Sequence, residues 1–530
     1  MIAGAVVLCA VVLAVLFGEA WLERIIRHKV EEKITASPNF KCGEIVLKLR
    51  PGSLVFKDAV LNIDLEAEAR HLEAKSSEIA LDGIDWFQII FFKRLKINQL
   101  HVESPFVMLS DMPKPDSLSI EKKTTSKGIS SIQITQLNLE RGQFKIVKHP
   151  SDTLASLTAD TFDIKVDGLS FKIDKKGASP AVKKLNLDIR DLTLHSDDNL
   201  HDIALNRFLL NKEDNSITLT DLTVKPKYSK RDFFSHVQKK KARLDFDFPE
   251  IVFQGWQFDQ LLQGKFVART VAINDMKLQI LANQNIPIAP NHYEPLPHEA
   301  LMKAALGITV DSVLVKNGLL EFENIAVGKS KAGLLSFNSL GAVLGNVTND
   351  TARIRKQPIL TVEIVGDFQK KHRIYNNFWM DLSSPDYAFS FKGGASTIPF
   401  SQFNAILTPS TNIVFDKGNI TKMEFEANAN KTVARGKLNL DYDGLEFHLL
   451  NKQKKKSKFL SQLVDMLFIK NDNNADDEDF QKGVIYWRRE TNRPFFRYWW
   501  FAIQSGLKTS ILSDFELERI RKMKERQKSK

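Results

Sequence analysis

The chain has 530 residues, with 75 Lys and Arg against 64 Asp and Glu for a net charge of +11; 43% of residues are hydrophobic and 26% charged. This balance excludes a disordered polyelectrolyte, a collagen and a polytopic membrane protein. Its two cysteines, Cys9 within an apolar run and Cys42 beyond it, exclude a disulfide framework and a cysteine metal site.

The first predicted element is an anchor. Ile2–Gly18 carries no charge, and Ala20, Trp21 and Leu22 extend the apolar run past Glu19, close to the length of one spanning helix. A cleaved signal would want a basic leader and a small-x-small site after a shorter core, and a lipoprotein signal a small residue where Leu8 precedes Cys9. The reading is therefore an uncleaved transmembrane segment over residues 1–28. Arg24, Arg27 and Lys29 follow the span and no Lys or Arg precedes it. Taken alone, those charges hold the bulk of the chain in the cytoplasm, but long domains translocate largely regardless of local charge, so orientation stays open.

Beyond Lys29 the hydrophobic pattern has period two, the signature of strands. One phrase recurs seven times: apolar-x-apolar-x-x-apolar-x-apolar. It reads Leu95, Ile97, Leu100, Val102; Ile132, Ile134, Leu137, Leu139; Ile164, Val166, Leu169, Phe171; and Leu187, Ile189, Leu192, Leu194. It returns as Ile217, Leu219, Leu222, Val224; Val271, Ile273, Met276, Leu278; and Ile308, Val310, Val313, Val315. Residues two apart share a strand face, so the x-x step would flip the second pair. A bulge there restores the face and bends the strand. Each copy thus predicts a long, bent strand with one apolar side, and the second, fourth and seventh copies supply the candidate groove lining.

The second and seventh copies are also alike downstream: Gly142, Phe144 and Ile146 match Gly318, Leu320 and Phe322 at the same offset, 318 − 142 = 176. That implies an internal duplication of one supersecondary unit. Ser104-Pro105, Arg141-Gly142 and Asn317-Gly318 suit strand reversal, which predicts a meander of hairpins. Only Pro297–Leu306 reads as a helix before the tail. A sheet with one apolar face and no helical cover folds on itself, closes as a barrel, or curls into a trough around an apolar guest.

Near the C-terminus, Phe459, Leu460, Leu463, Val464 and Leu467 predict an amphipathic helix from about Lys458 to Ile469. Asn471–Asp479 reads as a polar linker and not a calcium loop, because Asp477 stands where glycine is needed and Gly483 where the bidentate Glu belongs. Pro494 starts and Gly506 stops a further helix bearing Phe495, Phe496, Tyr498, Trp499, Trp500 and Ile503. With Arg493 and Arg497 alongside, Phe495, Phe496, Trp499 and Trp500 suit a membrane or partner contact; equally, the rings suit a plug at one end of the sheet. Arg519–Lys530 is basic and suits anionic lipid or solvent.

Motifs of chemistry are missing. Gly328-Lys329-Ser330 ends like a phosphate loop, but Glu323 occupies the leading glycine position. His298-Glu299 has no second histidine at zinc-protease spacing, there is no Gly-x-Ser-x-Gly elbow, and Asp441, Asp443 and Gly444 read as a hairpin turn. The expectation is a non-enzyme without metal or cofactor. Basic residues alternate with acidic ones along the strands, which argues against nucleic acid as a partner.

The stretch from Gly393 to Asn451 resembles the C-terminal part of the AsmA-like family of bacterial envelope proteins. Phe403, Asn404, Leu407-Thr408-Pro409 and Gly418 carry the likeness, and then Gly436, Leu438, Leu440, Tyr442, Asp443 and Leu445 fall on the family's closing G-x-L-x-L-x-Y-x-x-L pattern. The anchor followed by Leu47, Leu49, Gly52, Leu54 and Phe56 is similar to the family's opening. The resemblance implies an inner-membrane anchor through residues 2–22, the bulk of the chain in the periplasm of a Gram-negative bacterium, and a β-groove that moves phospholipid toward the outer membrane. A scaffold or assembly factor for outer-membrane proteins is the alternative. The chain then divides into an anchor (1–28), N-terminal groove repeats (29–300), an AsmA-like C-terminal β region (301–452) and a helical, aromatic and basic tail (453–530). The fold expected is mostly β: a transmembrane helix, then a long, curved, largely antiparallel sheet forming a groove, with a few short helices.

Overall fold

The computed structural model describes residues 37–65, 70–111, 130–148, 155–174, 177–196, 198–450 and 470–512, together with His28 and Glu32. The apolar run 2–22, the expected helix 458–469 and the basic stretch 519–530 lie outside the described residues. Among the described residues no helix is long and apolar enough to cross a membrane. The chain is mostly β and forms two compact units, Met1–Thr220 and Asp221–Lys530. No shift in composition marks that division.

In the first unit β1 (Phe40–Lys41) and β2 (Glu44–Lys48) pair antiparallel with β3 (Ser53–Leu65), and β3 with β4 (Arg70–Asp82). Helix α1 (Trp86–Phe92) precedes β5 (Arg94–Glu103) and β6 (Phe106–Asp111). Both of these strands run antiparallel to β4 and parallel to β7 (Ser131–Val147). Their registers on β7 share one offset, 131 − 94 = 143 − 106 = 37, so β5 and β6 are a single strand interrupted at Ser104. Strand β8 (Leu157–Asp174) then lies between β7 and the pair β9 (Gly177–Ala181) and β10 (Lys184–His195), and β11 (His201–Asn211) follows on β10. Strand β12 (Ser216–Pro226) runs across the division between units.

The second unit repeats this arrangement. Strand β13 (Arg243–Gln254) is antiparallel to β14 (Lys265–Asn274) and β15 (Lys277–Asn283), which again lie end to end and parallel to β16 (Gly307–Ile325) at one offset, 307 − 265 = 319 − 277 = 42. After β16 the strands β17 (Ala332–Thr348), β18 (Ile359–Phe368), β19 (His372–Asp381), β20 (Phe389–Pro399), β21 (Ile413–Ala429), β22 (Val433–Leu449) and β23 (Gly483–Arg488) succeed one another in antiparallel order. Helices α2 (Pro297–Met302), α3 (Thr351–Lys356), α4 (Asn404–Thr411) and α5 (Phe495–Ile511) connect or cover them. Of these, α2 lies within the stretch read as helical; α1, α3 and α4 span only 7, 6 and 8 residues, too few for a helical period to show.

The x-x step of the phrase holds a left-handed residue but not the extra residue of the expected bulge: the register is unbroken through it, as from Arg190–Thr161 to Leu192–Ala159 and from Arg190–Arg207 to Leu192–Leu205. In four copies its second position is left-handed: Gly168 at φ 66°, Asp191 at 53°, Asp221 at 53° and Asp275 at 54°. Glycine and aspartate tolerate that conformation best. In the copy ending at Leu139 the left-handed residue sits on the neighbouring strand: Ile134 pairs with Leu169 and Gln136 with Asp167, leaving Thr135 beside Gly168.

Three further expectations are corrected. Ser104, Arg141 and Asn317 are left-handed, with φ 47°, 56° and 53°, but they interrupt or kink strands that continue in the same direction and do not reverse them. A left-handed residue followed by glycine serves a bulge as well as a turn. Gly142 is required by crowding, since a Cβ there would lie 2.3 Å from the Phe162 ring. The Asp441–Gly444 stretch likewise lies inside β22, where Gly444 faces Gly418 of β21 across shifted register. The consecutive hairpins also give way to parallel pairs at β5–β7, β6–β7, β14–β16 and β15–β16, so each unit is mixed and not a pure meander.

Four neighbouring strands of the first unit break at one level. Asp58 of β3, at φ 48°, lies between the pairs Lys57–Glu78 and Ala59–Ser76; Ser76 and Ser77 of β4 face Ser104; and Ser104 faces Arg141. The Ser76 hydroxyl lies 2.8 Å from both the Glu78 and the Glu103 carbonyl oxygens, and the Arg141 N–H donates to Asp163 Oδ1 at 2.8 Å. Backbone groups released by the break are thus satisfied locally.

Candidate functional site

Residues directly opposite on paired strands share a face, so the register assembles the candidate lining into rows. Across β7, β8, β10 and β11 the first row is Leu139, Ile164, Leu187 and Leu210. The next rows are Gly142, Phe162, Ile189 and Phe208; then Phe144, Ala159, Leu192 and Leu205; then Ile146, Leu157, Leu194 and Ile203. Leu187, Ile189 and Leu192 are half-buried, and Leu194 is 39% exposed. The reverse face is ionic. Asp188 lies 2.6 Å from Arg190 and 2.9 Å from Arg207. Burial raises its carboxyl pKa, but hydrogen bonds from Arg207 and Arg190 outweigh that and hold it below the ordinary value. Among the residues described from 37 onward in this unit, α1 is the single helix, and it packs on β5, away from these rows.

The β7 residues nearer the N-terminal strands lie deeper. Ile134 is buried with Leu47, Leu54, Ile84 and Ile97, and Ile132 and Leu137 pack against that cluster. Trp86 and Ile89 of α1 pack there too. The other side of α1 carries Phe87, Phe91 and Phe92 into solvent.

In the second unit Ile308, Val310, Val313 and Val315 of β16 face Phe266, Ala268, Val271 and Ile273 of β14. Val310 is buried and the other three are half-buried. The row through Val313 continues as Leu344, Val362, Phe378, Phe391, Ala427, Gly436 and Ile485, reaching β23. At its far end α5 covers it. Phe495 stands 5.6 Å from Phe378 and 5.7 Å from Phe389, ring centre to ring centre. Phe496 stands 5.6 Å from Phe322, and the Trp499 indole N–H donates to Asn376 Oδ1 at 3.1 Å. Trp500 is half-buried beside Trp499. The four tail aromatics therefore meet this unit's own sheet or one another.

Gly506 does not stop α5, which continues to Ile511. Its lack of a side chain serves close approach instead: a Cβ would lie 2.9 Å from both Ile485 and Leu438, and one on Gly483 would lie 2.3 Å from the Gly506 carbonyl oxygen. Tyr498, Ala502 and Ile503 are buried on that side, and the Tyr498 hydroxyl donates to the Asn430 carbonyl at 3.1 Å.

A cationic group surrounds the start of α5. Lys240 and Arg493 both donate to Gln284 Oε1, while Arg493 and Arg497 share Glu490 at 3.5 and 3.3 Å. Burial, and then Arg493 and Arg497, bring the Lys240 pKa down to about 8. The sequence pattern does not bring these residues together; α5 does. Among the described residues no three His, Cys, Asp or Glu stand close enough to hold a metal ion. No family model matches the chain, and no curated protein matches it.

Proposed function

We propose that this is a membrane-anchored envelope protein that carries phospholipid acyl chains along an apolar β-groove, between the inner and outer membranes, in outer-membrane biogenesis. The observation that carries the reading is the four apolar rows on β7, β8, β10 and β11, half-buried over much of their length and backed by the ion-paired reverse face of Asp188, Arg190 and Arg207. Shielding an acyl chain from water is worth about 0.8 kcal/mol per CH₂, so a chain of about sixteen carbons gains on the order of ten kcal/mol. Such carriage breaks no bond and needs no catalytic group. The apolar run 2–22 would hold the protein in the inner membrane, with the bulk in the periplasm, as the AsmA-like resemblance implies.

The test is lipid extraction and mass spectrometry of the full chain purified from membranes. Phospholipid should accompany the native protein and fall several-fold in Leu139→Asp and Leu192→Asp, with the cooperative melt retained because both positions are half-buried. A lipid-free native protein, or variants that keep their lipid, would sink the reading. The competing reading, a scaffold for outer-membrane proteins, leans on the tail aromatics; a crosslinker at Trp500 that captured an outer-membrane protein would favour it.

A further inference from the structure

Helix α1 is apolar on both sides. Trp86 and Ile89 pack on the cluster of Leu47, Leu54, Ile84 and Ile97, while Phe87, Phe91 and Phe92 are 59%, 66% and 52% exposed. The three exposed rings form one patch: Phe87 stands 4.7 Å from Phe91 and 5.8 Å from Phe92. The helix is held at both ends. Asp85 Oδ1 accepts from the Gln88 N–H at 3.1 Å, the Lys93 N–H donates to the Ile89 carbonyl at 3.2 Å, and the Lys93 carbonyl accepts from Ser130 at 2.8 Å. The patch is therefore a fixed display and not a frayed end.

Charge names the partner. Lys93, Arg94 and Lys96 follow the helix and are exposed, and no acid stands between Trp86 and Lys96. On the other side, the Ile84 N–H donates to the Gly52 carbonyl at 2.8 Å, which brings the β2–β3 hairpin with Lys48 and Arg50 beside the helix start. The acids next to the helix in sequence are Asp82 and Asp85, and Asp85 is engaged as the helix cap. Clustered aromatic rings rimmed by cations match the boundary between headgroups and acyl chains of an anionic bilayer.

We infer that α1 is a second bilayer contact, with Phe87, Phe91 and Phe92 seated in the interface and Lys93, Arg94 and Lys96 on the phosphates of anionic lipid. The contact goes beyond acyl-chain carriage and stands whether or not the groove binds lipid. It would place the apolar cluster of β5 and β7, which begins behind Trp86, next to the membrane surface.

The test uses the full chain in proteoliposomes, with Cys9→Ser and Cys42→Ser to clear native thiols and Phe91→Cys to carry an environment-sensitive fluorophore. In phosphatidylethanolamine with phosphatidylglycerol, the label should shift to the blue and be quenched by lipids brominated near the headgroup. A label on Asn215→Cys, in the exposed β11–β12 turn, should respond to neither. Lys93→Gln with Arg94→Gln and Lys96→Gln should lower the quenching several-fold. A water-like emission without quenching overturns the inference. So does a blue-shifted, unquenched label, which would mean that protein covers the rings. Lipid that co-purifies with the triple glutamine variant is measured in parallel: native lipid content with lost quenching separates this contact from the groove.

Discussion

The two units build the same five-strand arrangement around Gly142 and Gly318, yet treat its apolar face differently. In the first, Leu187, Ile189 and Leu192 stay half-buried with no described helix over their rows. In the second, the row from Val313 to Ile485 runs under α5 and ends among Leu438, Leu440, Tyr442 and Ile503, all buried. An apolar strand face thus does not decide between a filled core and an open surface. A covering segment far away in the chain decides it.

The largest expected effect breaks the cover. Gly506→Val would push a branched side chain into Ile485 and Leu438, and should cost about 3 kcal/mol or more. Urea unfolding of the variant should show a markedly lower midpoint for the second unit; a native midpoint would refute the role of close approach at Gly506. The next prediction sharpens the contrast between units. Leu440→Ala, at a fully buried site, should cost about 3 kcal/mol, and Leu192→Ala, at a half-buried one, about 1 kcal/mol. Equal costs would mean the first unit's rows are packed as tightly as the second's.

The smallest effect is electrostatic. With its pKa lowered to about 8, Lys240 binds its proton less well in the folded state than in the unfolded one, whose value is 10.5. The unfolded state then holds more protons between those values, so stability should rise as pH rises from about 8 to 10.5. Lys240→Met should flatten that rise, read as Tm against pH for the two proteins. An unchanged slope would remove the link between Lys240 and the cations at the start of α5.

Much of the local geometry was legible in residue order. The period-two phrase located strands, its x-x step located the left-handed Gly168, Asp191, Asp221 and Asp275, and the offset of 176 located the repeat. What escaped has specific physical causes. Arg141-Gly142 and Asp443-Gly444 use backbone conformations that turns and bulges share, so sequence could not separate reversal from a kink. Gly506 reads as a helix stop because its reason to be glycine lies across space, on Ile485 and Leu438. The run Trp86–Phe92 is too short for a helical period; Asp85 before it and Lys93-Arg94 after it were the available signals. The rows across β7 to β11 needed the register, since no single strand reveals its neighbours.

The aligned breaks at Asp58, Ser76, Ser104 and Arg141 draw one line across neighbouring strands of the first unit. None of these four side chains belongs to the apolar rows, so the interruption of the strands and the chemistry of the rows are encoded at separate positions. Either could be retuned by substitution while the other is left as it is, so where the strands break and how greasy their rows are can change independently.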